Sequence, residues 1–316
     1  MQLWDDDVEA ARPRIRAESK KFVAQMATER PTGTVLEQAR ARRAAESAWV
    51  MRSDKGVDRT IDGPAGPLRL REFRPENPAG AMLHIHGGGW MAGEPEATDL
   101  LNEALSTNLG LAVVSVEYRL SPEHPYPAGP DDCEAAALWL AAHAEAEYGT
   151  SRLLIGGESA GAHLSAVTLL RMRDRHQAAG AFCGANLVFG AYDLTGTPSA
   201  RGVGTSPTTD LLDPEDIEFM VRQFTQGLTP QDRRHPDVSP MFAELTGMPP
   251  AVFTVGTADH LLDDTLLFSA RWVAAGNGAE LLVYPDAPHG CMGVPTVLEH
   301  WWPRLEAFLR RCLAET

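Results

Sequence analysis

The chain has 316 residues, 44% of them hydrophobic, which is enough core for a single α/β domain with an extra layer. Acidic side chains outnumber basic ones 43 to 28, giving a formal net charge of −15. That balance, with no basic stripe to offset it, excludes nucleic acid as a partner and argues against anionic membrane surfaces and strongly anionic substrates.

The first residues, Met1-Gln2-Leu3-Trp4-Asp5-Asp6-Asp7, are acidic where a signal peptide would be basic and then apolar. Residues 1–52 hold no strand candidate. Ile15, Ser19, Phe22, Val23 and Met26 fall at helical spacing, and 35–51 reads as a second helix. This segment is an amphipathic packing arm that can also serve as a cap. Strand alternation begins at 68–73. A second strand at 81–86 runs into Gly87-Gly88-Gly89-Trp90. A helix follows over 97–109, then a buried strand over 111–116. Pro122, Pro125, Pro127 and Pro130 forbid regular structure until Asp131, where an Ala-rich helix begins.

The apolar run Leu153-Leu154-Ile155 leads into Gly157-Glu158-Ser159-Ala160-Gly161. From there Leu164, Val167, Thr168, Leu169 and Met172 suit one helix face. A strand candidate at 186–189 precedes a region, 193–250, where alternation breaks down. Gly196, Pro198, Gly202, Gly204 and Pro207 mark a loop there. Asp213-Pro214 reads as an N-cap and first helical position, with Ile217, Met220, Val221 and Phe224 at i, i+3, i+4 and i+7 and Gly227 closing the helix. Strands resume at 251–255 and 280–284, separated by a helix near 265–275. A last helix spans 296–313. The longest charge-free run, 177–192, is too short to cross a bilayer. Cys133, Cys183, Cys291 and Cys312 show no metal-ligand spacing, and so few in so long a chain read as reduced thiols. A cytoplasmic location is expected.

Strands alternating with helices imply a mostly parallel sheet covered on both faces, with ligands bound outside the carboxyl ends of its strands. Four segments are aimed at that edge: the glycines after His86, Ser159, the loop after Val255 and the loop after Tyr284. Gly-x-Ser-x-Gly is common in ordinary turns, so its context decides. Between a strand and a helix it is a nucleophile elbow, with flanking glycines for close backbone approach.

A serine hydroxyl needs a base near neutral pH. In the order Ser, acid, His, Asp259 and His289 both lie in loops at strand ends. His163 and His300 fall in predicted helices and read as structural. Asp263 and Asp264 suit capping of the next helix, and Asp286 reads as a turn residue. The triple glycine lets backbone amides approach a carbonyl oxygen, where such donors are worth about 2.7–4 kcal/mol each. It is not a phosphate cradle, because no Lys follows and the pattern is not Gly-x-Gly-x-x-Gly.

Together, His86-Gly87-Gly88-Gly89-Trp90, the stretch Tyr118-Arg119-Leu120-Ser121-Pro122-Glu123-His124-Pro125-Tyr126-Pro127-Ala128, Gly157-Glu158-Ser159-Ala160-Gly161 and the Asp259/His289 pair resemble the hormone-sensitive-lipase-like carboxylesterases of the α/β-hydrolase fold. The resemblance runs from about residue 68 to the end. It implies Ser159 as nucleophile, Asp259 and His289 as its partners, and the amides of Gly88, Gly89 and Ala160 as an oxyanion hole. It also implies a cap built from 1–52 and an insertion at about 194–245, on a catalytic domain of 53–316. Glu158 stands where the family usually has Asp. Ala162-His163 replaces a common Gly-Asn, and His260 a frequent Pro.

The expected activity is hydrolysis of small, uncharged, short-chain esters through an acyl-enzyme. Trp90, Met220 and Phe224 are the candidate substrate contacts. No metal or organic cofactor is implied, and self-association is left open. An amidase or formamidase would use the same machinery. A non-catalytic receptor on the same fold would typically lack the histidine.

Overall fold

The structure is a computed structural model that describes residues 3–27, 30–203 and 211–314. Eight strands, β1 (Val57–Gly63), β2 (Gly66–Phe73), β3 (Gly80–Ile85), β4 (Leu111–Val116), β5 (Leu153–Glu158), β6 (Gly184–Val188), β7 (Ala251–Gly256) and β8 (Ala279–Tyr284), form one sheet in the order β1-β2-β4-β3-β5-β6-β7-β8. β2 is antiparallel to both its neighbours, and every other pairing is parallel. The central strands β3, β4 and β6 are buried along their whole length, as expected of parallel strands covered on both faces.

Among the described residues the α-helices are α1 (Asp6–Met26), α2 (Val35–Ser47), α3 (Asp99–Leu109), α4 (Ala128–Tyr148), α5 (Ala160–His176), α6 (Pro214–Phe224), α7 (Leu262–Ala274) and α8 (Pro295–Ala314). Leu105 and Leu109 of α3 and Trp301, Leu305 and Leu309 of α8 pack with Ile15 of α1 in one core cluster. Cys133, Ala136 and Leu140 of α4, Leu164 of α5 and Phe268 and Trp272 of α7 belong to a second. None of these helices is long and apolar enough to cross a membrane.

The strand order reverses around β3, whose sequence successor β4 lies on one side and β5 on the other. Such a switch opens a crevice beyond the carboxyl ends of the strands that flank it. The triple glycine follows β3 and Ser159 follows β5, so both line this crevice.

Three expectations are corrected. β1 was not expected. Ile61 is its only buried residue, so the strand carries almost no apolar signal, and its pairing comes from the Gly63–Gly66 hairpin with β2. The Ala-rich helix starts at Ala128, not Asp131, because Pro130 lies in the first turn, where a missing N–H costs nothing. α7 starts at Leu262, so Asp263 and Asp264 sit inside its first turn, and neither caps it. The Asp213 cap is present, its side chain accepting from the Asp216 N–H. Gly204 and Pro207 lie outside the described residues.

Candidate active site

β5 passes into α5 through Ser159, which holds φ 55° and ψ −119°, a conformation few side chains adopt. Such strain persists only where the surroundings impose it. Here the Ser159 N–H donates to the Val188 carbonyl at 2.8 Å. A Cβ on Gly157 would lie 2.1 Å from the Ile85 carbonyl oxygen, and one on Gly161 only 1.9 Å from it. Both glycines are therefore required for β3 and the elbow to pass this closely.

His289 Nε2 lies 3.0 Å from Ser159 Oγ, and its Nδ1 lies 2.8 Å from Asp259 Oδ2. An ionised carboxylate only accepts, so Nδ1 carries the proton and Nε2 is left to accept from the serine. Asp259 is completely buried, with its other oxygen accepting the Leu261 N–H at 2.8 Å. The two loops that bring acid and base together are stitched by Ala258 N–H to the Ala287 carbonyl and Asp286 N–H to Thr257 Oγ1.

Facing Ser159, the loop after β3 turns tightly: the Gly88 carbonyl accepts from both Met91 and Ala92. Gly88 and Gly89 hold φ 107° and 59°, and a Cβ on Gly88 would lie 2.2 Å from the Ala92 oxygen. The N–H groups of Gly88, Gly89 and Ala160 have no acceptor among the described residues. Gly88 and Gly89 lie in the loop after β3, and Ala160 opens α5 directly after Ser159. The His86 ring stacks on Tyr118 at 4.3 Å, and the Tyr118 hydroxyl donates to the His86 and Gly87 carbonyls. Burial pulls His86 down to about 4, so it is neutral and donates Nδ1–H to the Gly87 carbonyl.

Trp90 and Phe224, expected as substrate contacts, are buried and stacked on each other at 4.8 Å. Their rings are committed to packing α6 against the loop after β3. Met220 is different: a Cβ on Gly89 would lie 2.0 Å from its sulfur, so Met220 covers Gly89 directly.

Three contributors were missed by sequence reasoning. Arg43, on α2, donates to the Met91 and Ser121 carbonyls and pairs with Glu123, gripping the loop after β3 from the N-terminal arm. Glu158 meets His84 at 3.1 Å, while the other ring nitrogen of His84 lies 3.1 Å from Ser115 Oγ, linking β5, β3 and β4. Phe189 lies edge-on to His289 at 4.7 Å. Only Glu158 carried a signal, as a departure within its motif.

A strained serine between strand and helix, a buried acid–histidine line to its oxygen and unpaired amides across from it define a serine hydrolase of the α/β-hydrolase type. Residues 82–293 match the family model described as alpha/beta hydrolase fold, and the chain belongs to that family, in its hormone-sensitive-lipase-like branch. It is 33% identical to the carboxylic ester hydrolase LipN of Mycobacterium tuberculosis, over 75% of this chain and 64% of that protein; the matched region thus spans just under two thirds of the relative. The hyperthermophilic esterase of the archaeon Pyrobaculum calidifontis superposes with a TM-score of 0.80, at 29% identity and covering 96% of this chain and 97% of that one. An esterase from the bacterial hormone-sensitive lipase family gives a TM-score of 0.78 at 25% identity, covering 96% and 99%.

Proposed function

We propose that this chain is a serine carboxylesterase acting on small, short-chain esters. The observation that carries the reading is the unbroken line from buried Asp259 through His289 to Ser159 Oγ, at 2.8 and 3.0 Å. Ser159 Oγ attacks the ester carbonyl carbon as its proton passes to His289 Nε2. The carbonyl oxygen becomes an oxyanion received by the N–H groups of Gly88, Gly89 and Ala160. The C–O bond to the alcohol then breaks, and His289 returns its proton to the leaving oxygen. Water gives a proton to His289, attacks the acyl carbon, and the Ser159–acyl bond breaks with the proton restored to Oγ. Asp259 holds the imidazole in one tautomer and supports its charged form.

In this reading α1, α2 and the insertion around α6 form a cap. Ion pairs from Arg30 to Asp213 and Glu215, and from Arg42 to Asp216, support it by tying the N-terminal arm to α6. Met220 over Gly89 supports a short acyl pocket. The reading extends to a cytoplasmic location, supported by sparse cysteines and by the lack of a membrane-spanning helix among the described residues. The test is covalent labelling with an organophosphate alongside hydrolysis of p-nitrophenyl esters from acetate to palmitate. One adduct on the Ser159 peptide and an optimum between acetate and octanoate are expected. An unmodified Ser159 in fully inhibited protein, or a palmitate optimum, would overturn the reading.

A further inference from the structure

The two halves of the oxyanion site come from different parts of the sheet, and something must fix one against the other. Gly88 and Gly89 hang from β3, while Ala160 opens α5. Trp90 continues the β3 loop at φ 59°, directly after Gly89 at φ 59°. Two consecutive residues in the left-handed region, one of them a bulky aromatic, hold only where contacts over-determine them.

Those contacts converge on one side chain. Trp90 Nε1–H donates to His163 Nδ1 at 3.1 Å, and His163 Nε2 lies 2.8 Å from the Val238 carbonyl. An indole nitrogen can only donate and a carbonyl can only accept. A single neutral tautomer of His163, with Nδ1 bare and Nε2 protonated, therefore satisfies both. The ring is fully buried, and burial pulls it down to about 4, which keeps it in that form. Phe224 closes the group, stacked on Trp90 at 4.8 Å and edge-on to His163 at 5.8 Å. Val238 is itself anchored, because Asp237 beside it takes two 2.6 Å bonds from buried Arg171 of α5.

We propose that His163 is a positioning residue for the reaction: it aims the Gly88 and Gly89 donors by holding Trp90, and ties that loop to the insertion through Val238. The proposal rests on the esterase reading above. His163 touches no reacting atom. Its effect is on how well two amides point at an oxygen that becomes charged only in the transition state.

The test compares wild type with His163→Phe, Trp90→Phe and the double variant. Trp90→Phe preserves the ring stack and loses only the indole donor, so it keeps the test open if His163→Phe misfolds. The measurements are kcat and KM on p-nitrophenyl butyrate, the Ki of an alkyl trifluoromethyl ketone that forms a tetrahedral adduct on the serine, and Tm. Each single variant should lose roughly 10- to 100-fold in kcat, a fraction of what deleting an oxyanion donor costs. KM should stay within about threefold, the ketone Ki should rise in step with the loss of kcat, and the double should cost no more than the worse single. A lowered Tm with unchanged kcat, a change in KM alone, or additive single effects would overturn the proposal and leave the esterase reading standing. A wild type inert toward both esters and ketone would remove that reading and this proposal together.

Discussion

Four carboxylates follow the ends of β7 and β8, and the structure gives each a different task. Asp259 faces His289 Nδ1 at 2.8 Å. Asp263 accepts the Ser199 N–H. Asp264, fully buried, accepts the Tyr192 and Asp193 N–H groups and the Thr197 hydroxyl, pinning the loop after β6 onto α7. Asp286, at φ 59°, pairs with Arg12 and Arg16 on α1. Asp259→Asn should lose about 10⁴ in kcat with little change in Tm, as when the acid of a serine protease triad is replaced by its amide. Asp264→Ala should behave the opposite way. It strands two buried N–H groups and a hydroxyl, each costing about 1–3 kcal/mol, so Tm should fall by several degrees. Asp286→Asn should retain near-wild-type turnover. Turnover and melting curves on the three variants decide the assignment; an active Asp259→Asn protein would refute it.

At the scale of elements, the N-terminal arm does more than cover. Arg43 on α2 reaches the carbonyls of Met91 and Ser121 at 2.7 and 2.8 Å, so α2 braces the same loop that carries Gly88 and Gly89. Arg43→Ala should therefore lower kcat by roughly tenfold, because small misplacements of preorganised groups are expensive. Removal of residues 1–52 should lower kcat and shift ester selectivity together. Selectivity that moves while kcat holds would mean that the arm only shapes the pocket. α6 makes a related prediction. Met220 covers Gly89, and Met220→Ala should move the optimal acyl length upward by a few carbons, since each methylene accommodated gains about 0.8 kcal/mol until the space is full. The ester panel reads this directly, and an unchanged optimum would show that Met220 does not limit the pocket.

For the whole molecule, two buried histidines oppose folding as pH falls. His86 and His163 are each drawn by burial from 6.5 to about 4. Between those values the unfolded chain binds protons that the folded chain does not, so stability is fully present above 6.5 and is lost as pH falls toward 4. Acidification from pH 6.5 to 5 should cost about 2 kcal/mol for each ring. Asp264, raised by burial from 3.8 to about 7, acts the other way and adds stability as pH falls, so the histidine contribution is read by difference. Between pH 6.5 and 5 wild type should lose melting temperature relative to a folded His163→Phe protein. Parallel melting curves for the two over that range would contradict the His163 assignment.

Motifs made of backbone requirements were legible in the sequence, because glycine and proline report local geometry. The elbow around Ser159, the glycine turn after β3 and the Asp213-capped helix all follow from short spacings. Buried parallel strands announce themselves as apolar runs, which is why the sheet could be ordered into α/β units. β1 stayed hidden because an edge strand with one buried residue has no such run. Long-range polar pairing was equally invisible. Arg43 and Met91 are 48 residues apart, Trp90 and His163 73, and His289 and Asp259 30; only the last could be expected, from its place at two strand ends. The sequence by itself determined which residues can bend, cap or be buried, since those are properties of single side chains and their neighbours. Which polar groups face one another was decided by the tertiary structure, because a hydrogen bond depends on where the sheet and helices carry its two ends.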